Sequence, residues 1–138
     1  MSGKEKRMIE KLNQILQGLI DRYSKCGTVY EGTVLTNSVP AKTSTRVRQL
    51  TLPAGTYVIT ASTGYSRDIS SAMTICTIYL EGDGSLCATR GTMAGGGGDC
   101  VTTIQAFDEE VTLSQMAYQG STETVTASVT EFKAVRIK

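Results

Sequence analysis

The sequence predicts a mainly β protein, either a sandwich or a barrel, preceded by one short N-terminal helix. Residues 1–25 are rich in Lys, Leu, Ile, Gln and Glu, most of which favour helices. The rest of the chain is dominated by Thr, Val, Ser, Gly and Tyr, which favour strands and turns. The charge changes at the same point, from six basic and three acidic residues before it to eight and ten after it. We therefore expect two parts, a helix in residues 1–26 and a β domain in residues 27–138.

The helix prediction rests on apolar residues that recur at spacings of three and four from Met8 to Tyr23. Ser2 and Glu5 have the spacing of a capping box, and Gly27 stands where such a helix can end. A helix of this length is marginally stable alone, so its apolar face has to be buried against a partner.

Two different partners could bury that apolar face. The first is a coiled coil, in which Met8, Leu12, Ile15 and Leu19 form a seam wide enough to suit three or more helices better than two. The second is the helix's own β domain, as in an ordinary amphipathic helix. Acidic residues on the polar face argue against a membrane surface, and no run of 18 apolar residues predicts a transmembrane span.

Residues 27–138 are expected to form the β domain because short β-rich runs alternate there with turn signals. With two Phe, six Tyr and no Trp, the core would be thin for a monomer, which favours an oligomer. The predicted strands are Thr28–Leu35, Arg46–Leu52, Thr56–Gly64, Met73–Leu80, Leu86–Thr89, Val101–Phe107, Glu110–Tyr118, Glu123–Val129 and Phe132–Ile137.

The composition argues against catalysis. The sequence has no histidine, which removes Ser-His-Asp and Cys-His nucleophile systems and most catalytic zinc sites. A net charge of +1 argues against nucleic acid as the main partner. We therefore predict a non-enzymatic protein with no catalytic residue, no metal and no cofactor.

Four cysteines, Cys26, Cys76, Cys87 and Cys100, are predicted to be reduced thiols buried as small hydrophobes, because no secretory signal is visible. A two-residue turn at Gly82-Asp83 would place Ile78 opposite Cys87 and Cys76 opposite Thr89. Cys76 and Cys87 would then be out of line for a disulfide.

The glycine run Gly95, Gly96, Gly97, Gly98 is followed by Asp99, without the Lys-Ser/Thr that a phosphate-binding loop requires. It is expected to connect two strands. The functional alternative is an adaptable loop that binds a partner at one tip of a rigid β scaffold.

The stretch RQLTLPAGTYVITASTGYS resembles the strand–turn–strand of trimeric jelly-roll domains of the tumour necrosis factor and complement globular-head type. In those domains Gly-x-Tyr opens a strand after a Pro/Gly turn, as Pro53, Gly55 and Tyr57 would here. The region from Ile104 to the C-terminus looks like their C-terminal half, although Glu109-Glu110 replaces the usual Gly-Asp. The chain is rich in Thr, Ser and Gly and ends in the predicted strand Lys133-Ala134-Val135-Arg136-Ile137. In this it more closely resembles the small jelly-roll domains at the C-termini of phage and prophage tail-fibre, baseplate and head-decoration proteins.

This resemblance implies a jelly-roll β-sandwich after a short coiled-coil helix, assembled as a homotrimer. It implies a structural protein of the virion, assembled in the bacterial cytoplasm, with helices on the threefold axis. The distal loops would bind a host-surface glycan or protein, or another virion protein. A soluble cytokine-like or complement-like trimeric signalling ligand is the alternative.

Overall fold

The computed structural model describes residues 2–66, 72–92 and 98–138. Within these ranges one helix precedes ten strands, which confirms the prediction of a mainly β protein with an N-terminal helix. The elements are α1 (Gly3–Lys25), β1 (Val29–Glu31), β2 (Thr33–Val34), β3 (Ser38–Val39), β4 (Thr45–Leu52), β5 (Gly55–Tyr65), β6 (Thr74–Leu80), β7 (Leu86–Thr92), β8 (Gly98–Phe107), β9 (Val111–Gln119) and β10 (Val125–Arg136).

The strands form two antiparallel sheets. The first has the order β1-β10-β5-β8, with β3 paired to the start of β10, and the second has the order β2-β4-β9-β6-β7. From β4 onward the chain passes from one sheet to the other at every connection except β6–β7. Consecutive segments therefore lie on opposite sides of a shared core.

The core forms where side chains alternate along the strands, because one face of each sheet is buried and the other is not. In β5, Tyr57, Ile59 and Ala61 are fully buried, whereas the residues between them are only half-buried. They pack against the second sheet in one cluster. The members of that cluster are Leu50, Leu52, Tyr57, Ile59, Ala61, Cys76, Ile78, Leu113, Phe132 and Ala134.

Tyr57 closes the core at the end of the β domain where α1 is attached. Its hydroxyl donates a hydrogen bond to the Pro53 carbonyl at 2.6 Å, so the polar tip of a buried ring is satisfied. The Tyr30 ring meets it edge-on at 5.9 Å between centroids, and the Arg136 guanidinium lies 5.9 Å from its centroid. Burial raises the pKa of Tyr57, and the nearby Arg136 charge acts in the opposite direction.

Three strand predictions were wrong in detail. The run Thr28–Leu35 is divided at Gly32, where the chain leaves the first sheet for the second; a Cβ at Gly32 would lie 3.1 Å from Phe132. The predicted strands Glu123–Val129 and Phe132–Ile137 are one strand, β10, with a register shift between Ala127 and Val129. The short β3 was missed altogether.

The register predicted for the β6–β7 hairpin was also wrong. Ile78 lies opposite Ala88, and Cys76 lies opposite Arg90. The cause is a longer connection, in which Leu80 donates its N–H to the Ser85 carbonyl at 2.9 Å, together with a bulge between Ile78 and Tyr79. Cys76 and Cys87 are nevertheless not joined, as predicted, since none of the four cysteines is in a disulfide.

Replacing Phe132 by Ala should destabilise the β domain by about 3–5 kcal/mol, because a nearly fully buried ring at 1% exposure would leave a cavity. Urea unfolding followed by circular dichroism measures this change. The matched control is Leu86→Ala, whose side chain is 64% exposed and should change the free energy of unfolding by less than about 0.5 kcal/mol. Equal effects at the two positions would contradict the assignment of Phe132 to the core.

Candidate assembly surface

The N-terminal helix is capped as the sequence predicts. The Glu5 N–H donates to Ser2 Oγ at 3.2 Å, and the Ser2 N–H donates to Glu5 Oε2 at 3.4 Å. At the other end Gly27 has a φ of +83°, which suits glycine, and its N–H donates to the Arg136 carbonyl at 2.7 Å. The helix is thus tied to β10 at its C-terminal end.

Every side chain of α1 that the structure describes is exposed, so the helix does not pack on the sheets. The alternative of a helix covered by its own β domain is therefore wrong for the single chain. The four residues of the predicted seam, which we call the helix seam, have exposures between 42% and 59%. They are Met8, Leu12, Ile15 and Leu19, and the equally exposed Ile9, Leu16 and Ile20 widen the apolar face.

A second apolar surface lies on the outer face of the first sheet. Val29 lies opposite Val135, Val135 opposite Val58, and Val58 opposite Ile104. Because directly opposed residues of antiparallel strands point to the same face, these four side chains form one line across all four strands. We call this line the apolar row. Its two ends, Val29 and Ile104, are 53% and 63% exposed.

The apolar row adjoins the helix. Val29 follows the helix by only a few residues, and the Cys26 thiol donates to the Ile137 carbonyl at 3.4 Å. Ile137 itself is 46% exposed. Two residues further along β10, away from the helix, the outer face becomes polar. There Lys133 Nζ forms an ion pair with Glu131 Oε1 at 2.6 Å. The two uncovered apolar surfaces therefore meet at one end of the β domain, which we call the helix end.

The described residues at the opposite, distal end include the segments 35–37, 40–44 and 120–124, which connect strands. Gly95, Gly96 and Gly97 lie outside the described residues. Gly98 and Asp99 are the first residues of β8, where Asp99 is 6% exposed and lies opposite Thr63. A partner-binding role for this segment stays a prediction, and the Asp99 carboxylate is largely removed from solvent.

Sequence reasoning missed the residue that secures the distal end, Gln119. Its side chain is fully buried, and its Nε2 donates to the Val39 carbonyl at 3.1 Å and the Glu123 carbonyl at 2.7 Å. Its Oε1 accepts from the Ser121 N–H at 2.8 Å and from the Ser121 hydroxyl. One amide thus joins β3, β9 and the turn before β10.

Replacing Gln119 by Leu should destabilise the β domain by about 1–3 kcal/mol, because the Val39 and Glu123 carbonyls would lose the donor that now satisfies them. The measurement is urea unfolding, with Gln49→Leu as the matched control, since the Gln49 amide makes a single 3.4 Å hydrogen bond to Ser114 on the outer face of the second sheet. A loss no larger than that of the control would show that the amide does not hold this end together.

A second buried amide makes the middle of the core polar. Gln115 Nε2 donates to the Ser62 carbonyl at 2.8 Å and to Thr63 Oγ1 at 3.0 Å. Burial raises the pKa of the neighbouring Cys76 thiol, although hydrogen bonds from Thr63 and Gln115 act in the opposite direction. The prediction of buried thiols is right for Cys76, but Cys26 and Cys100 are exposed.

Cys76 should therefore resist maleimide at pH 8 in the folded protein and react once the protein is unfolded in urea. Burial blocks access, and the raised pKa lowers the thiolate fraction on which the reaction depends. Peptide mapping by mass spectrometry measures labelling at each position. Labelling of Cys76 at the same rate with and without urea would contradict its placement in the core.

No group of three or more His, Cys, Asp or Glu side chains is placed to hold a metal ion in the described part of the chain. Among the helical residues that the structure describes, none form a segment long and apolar enough to cross a membrane.

Comparison with known proteins identifies the fold and no family. No protein-family model matches the sequence, and no curated protein is similar to it. Among solved structures, the chain is similar to the crystal structure of the infectious bursal disease virus VP2 subviral particle, with a TM-score of 0.54 and 12% sequence identity. The match covers 79% of this chain and 33% of the VP2 chain. At this identity the likeness is one of fold, shared with a third of a viral protein.

Proposed function

We propose that the chain is a self-assembling structural protein of a bacteriophage or prophage virion, of the tail-fibre, baseplate or head-fibre kind. Its helix would hold three copies together, and its β domain would present the distal end to a partner. The observation that carries this proposal is the apolar face of α1, which no described part of the single chain covers. The viral setting is supported by the fold likeness to VP2.

The strand order supports a jelly roll as the finer description of the two sheets. A jelly roll has eight strands in two antiparallel sheets built from Greek keys. Here β1, β10, β5 and β8 are four strands of one sheet and β4, β9, β6 and β7 are four strands of the other, with the short β3 and β2 added to them. The alternation of the chain between sheets, broken only at the β6–β7 hairpin, is the connectivity that this fold requires.

A trimer is supported by the width of the apolar face of α1. The helix has 23 residues and is about 34 Å long. The helix seam, from Met8 to Leu19, spans about three of its turns. Burying a Leu, Ile or Met side chain is worth about 1.5–3 kcal/mol, so the seven such residues of this face give a substantial driving force against the cost of association. A face that includes Ile9 and Leu16 beside the helix seam would stay half exposed in a two-helix coil.

The two ends of the β domain support a division of roles. The helix attaches at one end, so three copies joined through their helices would direct their distal ends away from the point of assembly. That arrangement would leave the distal connections accessible to a host-surface glycan or protein, or to another virion protein.

The wild-type chain should have a solution mass of about three times 14.8 kDa by light scattering. The double variant Leu12→Asp/Ile15→Asp should reduce it to that of a single chain, because six carboxylates would be forced into the seam of a trimer. The matched control, Asn13→Asp/Gln14→Asp, adds the same charges on the polar face and should leave the mass unchanged. A single-chain mass for the wild type, or an unchanged mass for the seam variant, would contradict the proposal.

A further inference from the structure

We infer that neighbouring copies also meet through the apolar row, with the Ile104 end of one copy against the Val29 end of the next. This inference rests on the proposed trimer and adds a second contact to the helix seam. It assigns the outer face of the first sheet to a second and a third copy of this chain.

The apolar row has the chemistry of a surface that is covered in the assembled state. Its four side chains are β-branched and uncharged, and they stand opposite one another on all four strands. The two central side chains are half-buried and the two at the ends are exposed. Contiguous apolar surface that reaches solvent marks contact sites. Charge begins only in the next line of residues, where Glu31 lies opposite Lys133.

Continuity with the helix argues for a second copy as the occupant. The row begins at Val29, directly after the segment that ties α1 to β10 through Gly27. Three helices joined along one axis would therefore hold the helix ends of three β domains, and with them the three apolar rows, around that axis. Any β domain positioned in this way has the outer faces of two neighbours within reach.

Threefold symmetry then decides which residues meet. In a closed ring each copy uses two different surfaces, one for each neighbour. The row crosses four strands and is about 14 Å long at the usual strand spacing. Three rows placed as the sides of a triangle bring the β8 end of one row to the β1 end of the next. Ile104 and Val29 are the exposed residues at these ends.

A charge-pair cycle on the full chain tests this contact. Ile104→Lys and Val29→Glu, each made alone, should raise the concentration at which the trimer dissociates by about tenfold or more, since each places an unpaired charge in an apolar contact. The double variant Ile104→Lys/Val29→Glu should return this dissociation concentration to the wild-type value, because Lys and Glu would then face each other at all three contacts. Leu86→Lys is the matched control, equally exposed at 64% but on the second sheet, and should have no effect. A double variant no more stable than the single variants would overturn the inference.

A labelling experiment gives the answer even if the trimer does not dissociate on dilution. The side chains at positions 104 and 86 are 63% and 64% exposed in the single chain. In the assembled protein, maleimide should modify Ile104→Cys at least tenfold more slowly than Leu86→Cys. Equal rates in a trimeric wild type would overturn this contact and leave the proposed function standing. A monomeric wild type would overturn both.

Discussion

The register of β5 between β10 and β8 is the constraint on which the rest of the molecule depends. Side chains along a strand alternate between faces, so a shift of one residue would exchange the core face for the solvent face. Placing Tyr57 and Ile59 in the core therefore forces Val58 outward. Its partners Val135 and Ile104 follow it, because directly opposed residues share a face. The same pairing that builds the core thus builds the apolar row.

The core is less apolar than the core expected of a free-standing β domain of this size. Fully buried Gln115 and Gln119 occupy positions where aliphatic side chains could pack. Gln119 is satisfied by its hydrogen bonds, but Gln115 Oε1 and Thr74 Oγ1 are buried without a partner in the described part of the chain. Such atoms cost about 1–3 kcal/mol each. A domain with this core gains stability when association covers further apolar surface, since binding favours the folded state.

The sequence predicts the features of the fold that depend on local residue patterns, but not those that depend on pairing between distant parts of the chain. The helix follows from apolar spacing and from Ser2 and Glu5, and most strands follow from their composition. The division of the first predicted strand at Gly32 depends on the approach of Phe132, one hundred residues later. The apolar row likewise joins four residues from four separate strands, so no local window contains it. The buried amide of Gln119 gives no sequence signal, because a glutamine in an alternating strand is ordinarily assigned to solvent.

The two ends of the β domain differ in the kind of contact that each can make. The helix end combines the helix seam with Val29 and Ile137, so contacts there depend on apolar burial and are not weakened by the screening of charges. The described distal residues expose neutral polar side chains such as Asn37 and Thr43, the charged Lys42 and Glu123, and the apolar Leu35. The Asp99 carboxylate, although placed near this end, is largely buried. Under the proposed function, a partner at the distal end would meet mixed polar, charged and apolar side chains, and its binding would not compete with assembly at the helix end.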